Sequence, residues 1–192
     1  MTTRGSVLVP LLDGFEEIEA VTIIDVLRRA GVRVIVAGER PGPVRGSHDI
    51  SVVAEVALAD VAGDDLAMIA LPGGMPGAAH LAEHPVVQRL IRETHDRDKY
   101  TAALCAGPMA LGTAGVLAGK TATCYPGFED RLTGARVVDD RVVVDGKVVT
   151  SRGPGTALEL ALTLVGILAG PAQEAALAQG MLVARAAAAR QV

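Results

Sequence analysis

The chain has 192 residues, of which 50% are hydrophobic, 21% charged and only 2% aromatic, with a formal net charge of −4. That composition excludes a disordered chain and predicts an aliphatic core. The acidic balance and the scarcity of aromatic rings argue against a nucleic-acid partner, which needs a basic stripe or stacking platforms.

Residues 6–12 form a short apolar run ended by Asp13-Gly14, which reads as a buried strand and a turn. A helix follows from Phe15 or Glu16 to Ala30 and stops at Gly31. Residues 32–37 are a second apolar strand closed by Gly38. Strand, helix and strand in this order predict a parallel pair with a right-handed crossover. Residues 44–47 and 50–54 read as a small hairpin around His48-Asp49. Residues 66–71 form another apolar strand, followed by the glycine-rich loop Pro72-Gly73-Gly74-Met75-Pro76-Gly77. Residues 78–97 are helical, with a break near Pro85.

The next strand ends at Cys105, and Ala106-Gly107-Pro108 opens a helix to about Ala114. Residues 120–124 read as a strand, then Tyr125-Pro126-Gly127 as a turn. Short strands follow at 137–138, 141–144 and 148–151, joined at Asp139-Asp140 and Asp145-Gly146. Thr156 is placed to cap a helix to about Ala169, which Gly170-Pro171 ends. An alanine-rich helical segment occupies about 171–192, with a frayed tail after Met181. Residues 1–192 thus read as one domain, a doubly wound α/β sandwich with a mostly parallel sheet and helices on both faces. Residues 1–5 lead straight into a strand without a signal-peptide pattern, and the apolar helix 158–168 is too short to span a bilayer. The expectation is a cytoplasmic protein with no membrane partner.

Such sheets bind ligands beyond the carboxyl ends of their strands. That edge gathers the Asp13-Gly14 turn, the glycine-rich loop, Cys105 and the Tyr125 turn. A strand turning sharply into a helix exposes the side chain at the bend, as in nucleophile elbows. The helix start also favours thiolate over thiol. The plain alternative for Cys105 is a buried, inert thiol. Cys124 reads as a strand residue, and the two cysteines have neither disulfide nor ligand spacing.

In the first helix, Ile23, Val26, Leu27 and Ala30 share one face, and Glu19 lies on it four residues before Ile23. An acid on a core-facing stripe needs a partner or a proton. Glu17 points away and reads as a solvated first-turn acid, while Glu16 lies near the inner face at the fraying end. All three also fit ordinary acids at a helix start. If Glu19 meets Cys105, a coupled acid–thiol pair results, with the Gly74 and Ala106 N–H groups placed for an oxyanion. Gly74-Met75-Pro76-Gly77 lacks the dinucleotide fingerprint, and Gly119-Lys120-Thr121 lacks the rest of a phosphate loop. His80 and His84 have i, i+4 spacing, but Pro85 interrupts their helix, so they read as surface residues with no metal site.

Five stretches together resemble the ThiJ/PfpI superfamily, in the branch of the human parkinsonism-associated protein DJ-one. They are Asp13-Gly14-Phe15-Glu16-Glu17-Ile18-Glu19, Asp25-Val26-Leu27-Arg28-Arg29-Ala30-Gly31, Leu71-Pro72-Gly73-Gly74, Ala103-Leu104-Cys105-Ala106-Gly107-Pro108 and Thr150-Ser151-Arg152-Gly153-Pro154-Gly155-Thr156. The resemblance implies a flavodoxin-like fold of the class I glutamine amidotransferase kind, and a homodimer. It implies that Cys105 is the nucleophile, Glu19 its protonated partner, and Gly73 or Gly74 with Ala106 the oxyanion side. Members of this family act without a cofactor on small α-oxoaldehydes such as methylglyoxal and glyoxal, giving hydroxy acids without glutathione, or on early glycation adducts. Others are described as oxidative-stress sensors or chaperones, or as lyases and hydrolases such as isocyanide hydratases. Two positions depart from the pattern. Tyr125 stands where histidine is common, and neutral tyrosine is a poor base at pH 7. His48 stands where arginine is common near the dimer edge, making an anion contact there pH-dependent. Ala106, where the protease-like branch has histidine, argues against peptidase activity.

Overall fold

The structure is a computed structural model and describes residues 5–183. Its centre is a seven-stranded sheet built from β1 (Ser6–Pro10), β2 (Val34–Gly38), β5 (Val56–Ala57), β6 (Leu66–Leu71), β7 (Tyr100–Leu104), β10 (Val142–Asp145) and β11 (Val148–Ser151). The strand order is β10-β11-β7-β6-β1-β2-β5, parallel throughout except that β10 runs antiparallel to β11. β3 (Gly42–Arg45) and β4 (Ser51–Ala54) form the hairpin around His48 and Asp49.

The strands at the centre are apolar on both sides because both faces are covered. Val7 and Val9 point to one face, where they pack with Ile23 and Leu27 of α1 (Glu17–Arg29) and Leu160 and Leu164 of α5 (Ala157–Ala169). Leu8 points to the other, with Leu81 of α2 (Gly77–Glu83), Leu90 and Ile91 of α3 (Pro85–Asp96) and Leu111 of α4 (Pro108–Ala114). Pro85 sits at the first turn of α3, so it divides the predicted 78–97 helix into α2 and α3. The alanine-rich α6 (Pro171–Gly180) packs on α5, and the frayed tail expected after Met181 lies outside the described residues from 184 on. Among the described residues, no helix is long and apolar enough to cross a membrane.

Two local expectations are corrected. The strand expected at 120–124 shrinks to β8 (Thr121–Ala122), which pairs with β9 (Arg136–Val137) outside the central sheet. Two of its donors go to side chains instead: Thr121 N–H to Asp145 Oδ2 (2.8 Å) and Thr123 N–H to Thr150 Oγ1 (2.9 Å). The Thr156 hydroxyl does not cap α5. It donates to Gly153 O at 2.9 Å and lies 2.6 Å from Ser151 Oγ, tying the Ser151–Gly153 loop to the helix start.

Candidate active site

Cys105 directly follows β7 and is the residue where the chain turns toward α4. Its φ is +59°, a left-handed conformation that costs a non-glycine residue about 1–3 kcal/mol. The surrounding backbone enforces it. Cys105 N–H donates to Ser151 O (3.0 Å), Cys105 O accepts from Tyr125 N–H (2.9 Å), and Gly107 N–H donates to Leu104 O (2.8 Å). A Cβ at Gly107 would stand 2.8 Å from Leu71 O, so only glycine lets the elbow lie against β6.

Glu19 lies on the buried side of α1 with no exposed surface. Glu16 caps that helix, its Oε2 accepting from Glu19 N–H at 2.7 Å. The start of α1 also grips Gly73 at both ends: Glu16 N–H donates to Gly73 O (2.9 Å), and Gly73 N–H donates to Glu19 Oε2 (2.7 Å). A Cβ on Gly73 would fall 2.6 Å from Cys105 Cβ and 2.9 Å from Glu19 Oε2. Glycine here therefore lets the acid and the thiol approach each other. The Cys105 thiol and the Glu19 carboxyl face each other across Gly73, and each shifts the other's proton affinity.

Burial pushes the Glu19 carboxyl up to about 7, against the Gly73 N–H and the Cys105 thiol, which favour its charged form. Burial and the charge of Glu19 push the Cys105 thiol up to about 12, against the Gly74 and Ala106 N–H groups, which hydrogen-bond the sulfur. The expected lowering of the Cys105 pKa by the helix start is thus outweighed by burial and by Glu19. The two groups titrate as a pair that holds one proton between those values. Within that range, a proton moved from sulfur to Glu19 leaves a thiolate facing two N–H donors and a neutral acid. Because Oε2 accepts from Gly73, Oε1, buried and without a hydrogen-bond partner, is the oxygen left to carry that proton.

The other predicted residues divide. Gly74 and Ala106 present N–H groups to the sulfur, whereas the Gly73 N–H is already taken by Glu19. Tyr125 is half exposed, with its ring beside Gly153 and its N–H on the elbow carbonyl. His48 is exposed on the β3–β4 turn and pairs with Glu17 (Nδ1 to Oε2, 3.0 Å). Glu17 is not solvated as expected: its residue is 3% exposed. The turn folds over it, and its Oε1 accepts from His48 N–H (2.6 Å) and Ile50 N–H (3.3 Å). Burial alone would raise the Glu17 pKa, but hydrogen bonds from His48 and Ile50 hold it below the usual carboxylate value. The Glu17 hydrogen bond in turn raises His48. His80 and His84 do not converge: His80 lies by Asp13 O (3.2 Å), and His84 pairs with Glu39 (2.9 Å). Cys124 is 1% exposed, and burial raises its thiol to about 11, the setting of an inert core cysteine.

Comparisons with known proteins agree with this architecture. The family model described as "DJ-1/PfpI family" matches residues 5–166. The Caenorhabditis elegans protein "Glutathione-independent glyoxalase DJR-1.2" is 38% identical over 181 residues, covering 93% of this chain and 96% of that protein. Arabidopsis thaliana "Protein DJ-1 homolog B" is 43% identical over 187 residues, 96% of this chain but 42% of that protein, so the chain spans less than half of that relative. The crystal structure of Drosophila melanogaster DJ-1beta superposes with a TM-score of 0.91 at 41% identity, covering 96% of this chain and 100% of that one.

Proposed function

The chain belongs to the DJ-1/PfpI family, and on that premise we propose that it is a cysteine-dependent enzyme converting small α-oxoaldehydes to hydroxy acids. The observation that carries the reading is the fully buried Glu19 carboxyl, bonded to Gly73 N–H at 2.7 Å and set across Gly73 from the thiol at the strained elbow. The name of the Caenorhabditis elegans relative, a glutathione-independent glyoxalase, points the same way.

For methylglyoxal the steps balance with water as the only co-substrate. Cys105 sulfur attacks the aldehyde carbon, and the oxyanion forms beside the Gly74 and Ala106 N–H groups. Glu19 gives its proton to that oxygen, making the hemithioacetal. The Glu19 carboxylate then takes the proton from the former aldehyde carbon to leave an enediolate, the hydroxyl proton passes from the first oxygen to the second, and Glu19 returns its proton to the neighbouring carbon. The product is a lactoyl thioester on Cys105. Water hydrolyses it to lactate and restores the thiol. Early glycation adducts carry the same carbonyl chemistry and enter at the same attack.

The same N–H pair and neutral acid would hold the oxygens of a Cys105 sulfinate, which supports an oxidation-sensing role as a second reading. A homodimer is part of the proposal. Ile18 and Val21 of α1 and Ile50 and Val53 of the hairpin are large, exposed apolar residues, and Ile50 abuts α1 through Glu17.

Glu19→Gln tests the proton carrier. Glutamine keeps an acceptor for Gly73 N–H but has no proton to shuttle. Lactate formation without glutathione should fall by about 100-fold or more in kcat, with the fold retained by circular dichroism. A variant that keeps wild-type turnover contradicts the role assigned to Glu19.

A further inference from the structure

A cavity of about 510 Å3 opens at the carboxyl ends of β1 and β2, and neither Cys105, Glu19 nor the glycine loop lines it. Its volume is that of a small-molecule site, about 300–1,000 Å3. The chain path creates it. Leu11 N–H still bonds Ala37 O (2.8 Å), and beyond that pair β1 leads to α1 while β2 leads to the hairpin. The α2–α3 junction at His84-Pro85 forms a wall, and those helices cover the sheet face opposite α1. Val44 reaches the cavity from the other side of the hairpin from Val53, a member of the proposed dimer patch, because Val53 pairs with Pro43 and strand positions alternate.

The lining has a definite chemical character. Leu11, Leu12 and Val44 are at most 8% exposed and give it an apolar floor. Hydrogen bonds fix what the two histidines offer. His84 Nδ1 accepts from Val87 N–H (3.4 Å), so Nε2–H of the neutral ring donates to Glu39 Oε2 (2.9 Å). His80 donates Nδ1–H to Asp13 O (3.2 Å), which leaves Nε2 of its neutral ring as a free acceptor. Asp13, Glu39 and Glu83 share the same walls, and among the described residues no lysine or arginine pairs with any of them. Arg40 is the only lysine or arginine of the lining, and no aromatic ring contributes to it.

We propose that this cavity binds a small primary alkylammonium ion. Its alkyl chain covers the leucine and valine floor, and its three N–H donors meet His80 Nε2 and the Glu39 and Glu83 carboxylates. A quaternary ammonium ion has no N–H to give and relies on aromatic faces that are missing here. An anion would meet three carboxylates with Arg40 alone to attract it. The enclosing apolar floor distinguishes the place from acids on open surface, where water and salt screen the charge.

The test is titration of isotope-labelled protein with n-pentylammonium chloride, followed by amide and methyl NMR, with n-pentanol as the uncharged control at matched ionic strength. Saturable shifts are expected at Leu11, Leu12 and Val44, with pentanol binding more than about tenfold more weakly. The Glu39→Gln/Glu83→Gln double variant should lose more than about fivefold in affinity for pentylammonium. Both side chains are exposed, so its fold is expected to be retained. Cys105→Ala should bind pentylammonium as the wild type does, which separates this cavity from the candidate active site. No saturable shift, equal affinity for pentanol, dependence on Cys105, or an affinity unchanged in the double variant overturns the site.

Discussion

A carboxyl group with no exposed surface takes its proton affinity from what surrounds it, and Glu19 is surrounded by apolar core, one amide and one thiol. Its pKa rises from 4.5 to about 7 in the fold. Below pH 4.5 it is neutral both folded and unfolded, and this contribution to stability is fully present. As pH rises toward 7 the unfolded chain releases its proton while the folded chain retains it. Stability therefore declines through that window, by about 2–3 kcal/mol between pH 5 and pH 8. Urea unfolding at those two pH values should show this loss in the wild type and not in Glu19→Gln. Equal losses in both proteins would mean that Glu19 is not desolvated as described. The position of Glu19 on the buried face could be read from its place four residues before Ile23. Glu17 could not be read that way. A helical wheel sets it toward solvent, but the cover comes from the turn at His48, 31 residues along the chain. No local period records a contact of that separation.

At the scale of elements, three segments meet at one glycine. The start of α1 bonds both the N–H and the C=O of Gly73, and the elbow after β7 packs against its α-carbon. Gly73→Ala would place a methyl carbon 2.6 Å from Cys105 Cβ and 3.0 Å from Ala106 N. Such overpacking costs about 1–3 kcal/mol. Because the clash lies between acid and thiol, lactate formation should fall more than about tenfold even where the variant is fully folded. Full activity in a folded Gly73→Ala protein would show that the pair does not need this spacing. The strand, glycine loop and elbow were legible because apolar runs ending in glycine or proline mark the carboxyl edge of a parallel sheet. The 120–124 segment was not. Its β-rich composition matched a strand, but hydrogen bonds to the Asp145 carboxylate and the Thr150 hydroxyl claim the Thr121 and Thr123 donors.

Across the whole molecule, the two apolar layers hold β1, β6 and β7 side by side. Their carboxyl ends deliver α1, the glycine loop and the elbow to one point. Alternating strands and helices predicted this architecture, and the structure shows a mostly parallel sheet with helices on both faces. The fold thus supplies strain at Cys105 and desolvation at Glu19, neither of which a short peptide could sustain. The most direct test of the account is methylglyoxal loss and lactate formation, without glutathione, for wild type and Cys105→Ala side by side. The account predicts catalytic turnover in the wild type and none above buffer in Cys105→Ala. Equal lactate formation by both proteins would contradict it.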